Sequence, residues 1–264
     1  MIGKRIRIER LMDKESRKFV LIPMDHGVSI GPVPGLVDFP HTVNEIARGG
    51  ATAIVMHKGL VEGGHRGHGK DIGLVVHLSV STGRATDPNA KVLAGSVEDC
   101  IRLGADGVSI HVNIGASNET QQLVDFGSVA SDCYKWGMPL LAMMYPRGHD
   151  IKDPFEVETV RHVARIGAEL GADIVKTLYT GSSDSFREVV KSVNVPVVIA
   201  GGPKSESEQG LLKTVRDAMD AGAAGVSIGR NIWQHKDVYS MTRAISAIVL
   251  ENADVSKAAK ILKG

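Results

Sequence analysis

The sequence predicts a single (β/α)8 barrel, a TIM barrel, spanning residues 1–264 with an N-terminal helical cap, and three observations predict it. The first is a unit that recurs four times, at 43–56, 97–110, 163–176 and 215–228: an amphipathic helical run, then glycine-alanine, then a short β-branched run. Glycine just past a helix end tolerates positive φ, which stops the helix and turns the chain into the next strand. The second is the number of apolar runs, eight in all, at 19–25, 52–56, 73–78, 106–112, 139–145, 173–177, 196–200 and 224–229. Their near-continuous apolar character suits parallel strands covered on both faces. The third is the 264-residue length, the size of one such barrel. An open doubly wound sheet is the alternative, but no G-x-G-x-x-G turn follows the first strand.

Taken in order, residues 1–18 read as a helical cap under the barrel. Helical patterns follow at 39–49, 96–103, 119–136, 154–170, 183–193, 206–221 and 236–250, with a last surface helix at 253–263. Asp153-Pro154 reads as one helix start, with Pro154 at the first helical position. Ser205 reads as another, with Glu208 three residues on completing a capping box. The stretch 57–95 is the least regular, with Gly-rich and His-rich pieces around the third strand.

Composition narrows the function classes. Thirty-one Lys and Arg against 30 Asp and Glu leave a formal charge of +1, which gives no electrostatic reason to expect nucleic acid or an anionic membrane as partner. Thirty glycines against eleven aromatic side chains favour many tight turns over an aromatic-rich β sandwich. No run approaches the roughly 18 apolar residues of a spanning helix. The opening MIGKRIRIERLMDKESRKF is charged throughout, unlike a secretory signal. Cys100 and Cys133 are too few for a disulfide scaffold and read as buried thiols of a cytoplasmic protein.

Chemistry in such a barrel gathers where strands end at the C-terminal face. Strand ends place Asp25-His26-Gly27, His57-Lys58-Gly59, His111, Asn113, Tyr145-Pro146-Arg147, Lys176-Thr177, Gly201-Gly202 and Gly229-Arg230 there. Lys176 is the most informative. Alternation puts it on one face with Ile174, and if that face is the interior, desolvation favours the neutral amine. A neutral amine attacks carbonyls and forms a Schiff base that serves as an electron sink. The competing reading is a lysine that snorkels to the rim, and Lys58 is a rival candidate.

Asp25 shares a face with Leu21 and Pro23, where its carboxylate can pair with an ammonium or move protons; a loop-capping role is the alternative. Tyr145 shares a face with Met143, and its phenol can exchange a substrate hydroxyl proton or simply pack. Gly201-Gly202 and Gly229-Arg230 follow the seventh and eighth strands, where backbone N–H groups of such barrels commonly hold phosphate. Arg230 would add a charged fork. His111, inward on the fourth strand, reads as a polar neighbour of the lysine. His65 and His68, with His26, His57 and His111, raise a metal site, but their Gly-rich setting has no regular ligand spacing, so none is assigned.

The segments LIPMDHGVS (21–29), MMYPRG (143–148), DIVKT (173–177), IAGGPK (199–204) and SIGRNIWQ (227–234) together resemble the archaeal class I fructose-bisphosphate aldolase family. The likeness covers nearly the whole chain and is greater to a transaldolase-type synthase branch of that family. It implies Lys176 as the Schiff-base lysine, Tyr145 as proton donor and Asp25 as proton acceptor. It also implies that Asp25, His26, Gly27, Val28, Ser29, Tyr145, Pro146, Arg147, Gly201, Gly202, Gly229 and Arg230 line the phosphosugar site.

In the synthase branch a hydroxyacetone unit passes from a ketofructose phosphate to an amino aldehyde, opening a route to aromatic amino acids. The alternative is fructose-1,6-bisphosphate cleavage. The aldolase branch carries an aromatic residue two positions before its tyrosine, where this chain has Met143, a departure that favours the synthase. The resemblance further implies small-molecule substrates, no metal or organic cofactor, and a homo-oligomer built from rings, such as a decamer.

Overall fold

Runs such as FVLIP and LLAMMYP offer no polar face to water, so their backbones pair only where both faces are covered. In the computed structural model, which describes residues 1–64, 72–202, 205 and 207–263, eight parallel strands do this as a closed ring. They are β1 Phe19–Pro23, β2 Ala53–Met56, β3 Gly73–His77, β4 Gly107–Ile114, β5 Leu140–Pro146, β6 Ile174–Thr177, β7 Val197–Ala200 and β8 Gly225–Ser227. Each strand pairs with the next in chain order, and β1 pairs with β8 in the register Phe19 to Gly225 and Leu21 to Ser227.

The helices are α1 Ile2–Leu11, α2 Phe39–Arg48, α3 Val97–Arg102, α4 Glu119–Trp136, α5 Val157–Glu169, α6 Ser183–Lys191, α7 Glu208–Asp220, α8 Val238–Glu251 and α9 Val255–Ile261. The repeated glycine-alanine unit acts as expected: Gly50, Gly104, Gly171 and Gly222 have φ of 94°, 77°, 103° and 99°. The alanines after them, Ala51, Ala105, Ala172 and Ala223, are buried at the strand starts. The covering helices bury one stripe each, as α2 does with Phe39, Val43, Ile46 and Ala47 at helical spacing. Each such branched or aromatic side chain contributes roughly 1.5–3 kcal/mol of transfer free energy.

Beneath the barrel, α1 is held by two aspartates that follow the glycine-alanine pairs. Asp173 accepts from Lys4 Nζ at 2.9 Å and from the Leu140 N–H at 2.9 Å. Asp106 accepts from the Leu74 N–H at 3.0 Å and pairs with Arg10 Nε at 2.6 Å. Each carboxylate thus ties the cap to a neighbouring strand.

Several expected boundaries move. The helix expected from Pro154 begins at Val157, because Glu156 accepts from the Glu158 and Thr159 N–H groups while Asp153 closes a turn onto the Phe155 N–H. Ser205 does not start α7; Ser207 caps it through the Gly210 N–H, and the Ser205 N–H donates to Asn231 Oδ1 instead. The cap helix ends at Leu11, and β1 ends at Pro23, so Asp25 stands in the turn beyond the strand. Within the irregular 57–95 stretch the chain adds an antiparallel pair of short strands, Ser79–Val80 and Val92–Leu93, above the barrel.

Ring closure leaves no room at Gly225, where an added Cβ would stand 2.0 Å from the Phe19 carbonyl oxygen. Gly225→Ala is therefore expected to destabilise the fold by roughly 3 kcal/mol or more, read from the urea midpoint. A loss below about 1 kcal/mol would contradict this account of closure.

Candidate active site

Strand register assembles the site before any side chain is considered. His111 on β4 lies opposite Met143 on β5, and Met143 lies opposite Lys176 on β6. Residues paired across parallel strands project to the same face, so all three enter the barrel at one level. Lys176 is 6% exposed, and its Nζ stands 4.0 Å from the Met143 sulfur, so the rim position is excluded. Its rival Lys58 points outward from a 3₁₀ turn to Asp99, Nζ to Oδ2 3.5 Å.

Lys176 opens into a cavity of about 390 Å³ at the C-terminal ends of the strands. Of the residues expected there, Asp25, His26, Val28, Ser29, Tyr145, Arg147, Gly201, Gly202, Gly229 and Arg230 line it with Lys176. Gly27 does not line it but opens the short helix Gly27–Ile30, which swings Val28 and Ser29 over the mouth. Pro146 faces an adjoining groove that shares Arg147, Gly201, Gly202 and Arg230 with the cavity. His65 and His68 lie outside the described residues, and among the described residues no three His, Cys, Asp or Glu groups converge as a ligand set.

Asp25 sits between two imidazoles, 3.6 Å from His77 Nε2 and 3.6 Å from His26 Nδ1. Its Oδ1 and the His26 Nδ1 are buried without a hydrogen-bond partner. Burial pushes the carboxyl upward, but His77, His26, Lys176 and His57 together outweigh it and hold Asp25 well below the usual carboxylate range. Asp25 is therefore an ionised base at neutral pH. His77 donates to or accepts from Ser109 Oγ at 2.8 Å, which fixes its ring plane. Burial, against the pull of Asp25, pushes the His77 imidazole down to about 4, and burial likewise lowers His26.

Tyr145 is 4% exposed, with the His111 ring edge-on at 4.9 Å and the Arg147 guanidinium 4.5 Å over its face. His111 Nε2 bonds Asn113 Oδ1 at 2.8 Å, and burial with the charges of Lys91 and Arg147 holds it well below its ordinary value. This imidazole is neutral and stands edge-on to the phenol.

The loops after β7 and β8 form one corner. Arg230 Nη2 donates to the Gly202 carbonyl at 2.9 Å, and Asn231 Nδ2 to the Gly201 carbonyl at 3.0 Å. Gly202 takes φ of 64°, and a Cβ on Gly229 would meet the Pro23 carbonyl oxygen at 2.5 Å. Trp233 Nε1 donates to that same oxygen at 2.9 Å and packs edge-on against His26, locking this corner to the Asp25 turn.

Among the lining residues that sequence reasoning missed are His77, Ser227 and Lys91. The first two end β3 and β8, the same signal that picked out Lys176, and Ser227 Oγ is buried without a partner beside the cavity. Lys91 immediately precedes Val92–Leu93 of the short antiparallel pair, for which the chain carries no periodic signal. Cys100 and Cys133 are buried free thiols away from the cavity, each pushed up to about 12 chiefly by burial.

Because His77 protonates near 4 when folded against 6.5 ordinarily, the unfolded chain takes a proton that the native state refuses. This group therefore costs stability as pH falls from 6.5 toward 4, by up to about 1.4 kcal/mol per pH unit. Ring-resonance NMR of the protein, assigned with His77→Asn, is expected to show a neutral His77 at pH 6; a midpoint near 6.5 would contradict the assigned environment.

Three comparisons bear on what this site is. Residues 19–235 match the model of the DeoC/LacD family aldolases. The chain is 45% identical to the 2-amino-3,7-dideoxy-D-threo-hept-6-ulosonate synthase 1 of Archaeoglobus fulgidus, over 96% of this chain and 93% of the relative. It is 41% identical to the 2-amino-4,5-dihydroxy-6-oxo-7-(phosphonooxy)heptanoate synthase of Streptomyces griseus, over 94% of this chain and 90% of that one. Among solved structures it is similar to an archaeal fructose-1,6-bisphosphate aldolase with its catalytic lysine covalently bound to the carbinolamine intermediate of the substrate. That match has a TM-score of 0.83 and 29% identity, covering 93% of this chain and 99% of the other. A closed barrel with an inward lysine beside a carboxylate and a phenol, in a chain this similar along its length, belongs to the DeoC/LacD aldolase family.

Proposed function

We propose that this protein is a transaldolase-type synthase acting through a Schiff base on Lys176. It moves a hydroxyacetone unit from 6-deoxy-5-ketofructose 1-phosphate to L-aspartate semialdehyde. The product is 2-amino-3,7-dideoxy-D-threo-hept-6-ulosonate, a starting compound for aromatic amino acid synthesis. The observation that carries the reading is the convergence of a buried amine, an ionised carboxylate and a phenol in one cavity. The 45% identity to a 2-amino-3,7-dideoxy-D-threo-hept-6-ulosonate synthase supports this reaction over the aldolase cleavage.

The amine of Lys176 attacks the donor ketone, and its proton passes to oxygen to give a carbinolamine. Tyr145 donates the proton with which the carbinolamine hydroxyl departs as water, leaving a protonated imine. Asp25 then takes the proton of the hydroxyl on the carbon whose C–C bond breaks. The bond's electrons flow into the imine, releasing the phosphorylated aldehyde and leaving an enamine. In the second half the enamine carbon attacks the aldehyde of the acceptor, and Asp25 returns its proton to the new alkoxide. Water adds to the imine and gives a proton back to Tyr145, and the carbinolamine then collapses to the product ketone and frees Lys176. Both halves use the same imine, so the chemistry requires neither metal nor organic cofactor.

Backbone N–H groups at Gly201-Gly202 and Gly229, with the Arg230 guanidinium, hold the phosphate. The short helix Gly27–Ile30 closes the mouth. A cytoplasmic location and a homo-oligomeric assembly belong to the same reading.

The test is product formation from each donor. The ketofructose phosphate with aspartate semialdehyde is expected to give the seven-carbon product, and Lys176→Ala is expected to abolish it while calorimetry still detects sugar-phosphate binding. Substantial turnover by Lys176→Ala would overturn the Schiff base. Cleavage of fructose 1,6-bisphosphate alone would assign the aldolase reaction instead.

A further inference from the structure

The proposed phosphate corner does not account for all the positive charge around the cavity. Four basic side chains, Lys91, Arg147, Lys176 and Arg230, line it among the described residues, against one carboxylate, Asp25. Among the described residues Lys91 and Arg147 make no ion pair, and the Arg147 guanidinium lies over the Tyr145 ring. Lys91 is carried between β3 and β4, across the ring from the loops after β7 and β8 that hold Gly201, Gly202 and Arg230.

The Lys91 segment is also built rather than loose. Its carbonyl accepts from Asn118 Nδ2 at 3.0 Å. The nearby Asn89 carbonyl accepts from Asn113 Nδ2 at 2.8 Å and from Gln122 Nε2 at 3.0 Å, stapling the segment to β4 and α4. The Lys91 ammonium donates to Ser81 Oγ, whose own proton goes to the Pro88 carbonyl at 2.6 Å, so the amine is aimed while its other protons stay free. Burial, with the nearby Arg147 charge and against the pull of Asp25, draws this ammonium below its ordinary lysine value.

We propose that Lys91, with Arg147, forms a second anion-binding pole that reads the carboxylate of the acceptor aldehyde. The inference rests on the transaldolase reading and adds the residue that selects the acceptor. A reaction that releases a phosphorylated aldehyde and then takes up an amino acid aldehyde handles two anions in turn, and a pole apart from the phosphate corner lets the acceptor be recognised by its own carboxylate. Two poles on opposite rims let the donor phosphate and the acceptor carboxylate enter separately, with Lys176 and Asp25 between them. A lysine, a compact charge on a flexible stem, suits a small acid that must arrive and leave each cycle.

The experiment compares aspartate semialdehyde with its methyl ester as acceptors, at fixed ketofructose phosphate, in wild type, Lys91→Gln and Lys91→Arg. Wild type is expected to prefer the acid in kcat/KM by about tenfold or more, the value of a charged hydrogen bond. In K91Q the preference collapses toward parity, through a raised KM for the acid, and K91R restores most of it. An unchanged preference in K91Q, an equal loss for acid and ester, or a rise confined to the KM of the phosphorylated donor would overturn the assignment. No product from either acceptor in wild type would instead remove the transaldolase reading itself.

Discussion

The structure depends on setting one amine, a few per cent exposed, inside a closed barrel. Removing an ammonium or a carboxylate from water costs several kcal/mol unless neighbours compensate. Here the compensation is collective. Lys176 has a thioether at 4.0 Å, while Asp25 lies among His77, His26, His57 and Lys176 and is held below its ordinary range in spite of burial. Register makes this arrangement possible: a one-residue slip of β6 would turn Lys176 into the helix layer and Val175 into the cavity.

The two ends of the barrel divide the work. At the N-terminal end Asp106 and Asp173 are fully committed to strand N–H groups and to α1, so their charge is spent on stability. At the C-terminal end the polar atoms of Asp25, His26 and Ser227 are buried without partners. Unsatisfied groups of this kind are costly in a folded protein and collect where a ligand completes them. The Trp233–Pro23 hydrogen bond and the tight approach at Gly229 hold the Gly201–Arg230 corner against the Asp25 turn, so the two sides of the cavity form one preformed frame.

Most of the barrel was legible because its signals are local and repeated. Glycine-alanine after an amphipathic run marks a helix end and a strand start in one stroke, and all eight strands stand where the apolar runs lie. Lys176, Asp25, Tyr145 and the two glycine loops were legible as polar residues closing apolar runs. Helix starts were less so: Pro154 and Ser205 obey the rules for a first turn, but Glu156 and Ser207 make the hydrogen bonds. His77 carried the same strand-end signal and was passed over among ten histidines. Lys91 had no such signal. Its place depends on side-chain staples from Asn113, Gln122 and Asn118, contacts between segments far apart in the chain.

The central claim is that Lys176 holds the substrate covalently. The direct measurement is borohydride trapping followed by intact mass and peptide mapping, run separately with the ketofructose phosphate and with fructose 1,6-bisphosphate. The account predicts a hydroxyacetone-sized adduct on Lys176 from the ketofructose phosphate. A dihydroxyacetone-phosphate adduct from fructose bisphosphate alone would contradict the assigned donor, and no adduct on Lys176 from either would contradict the Schiff base.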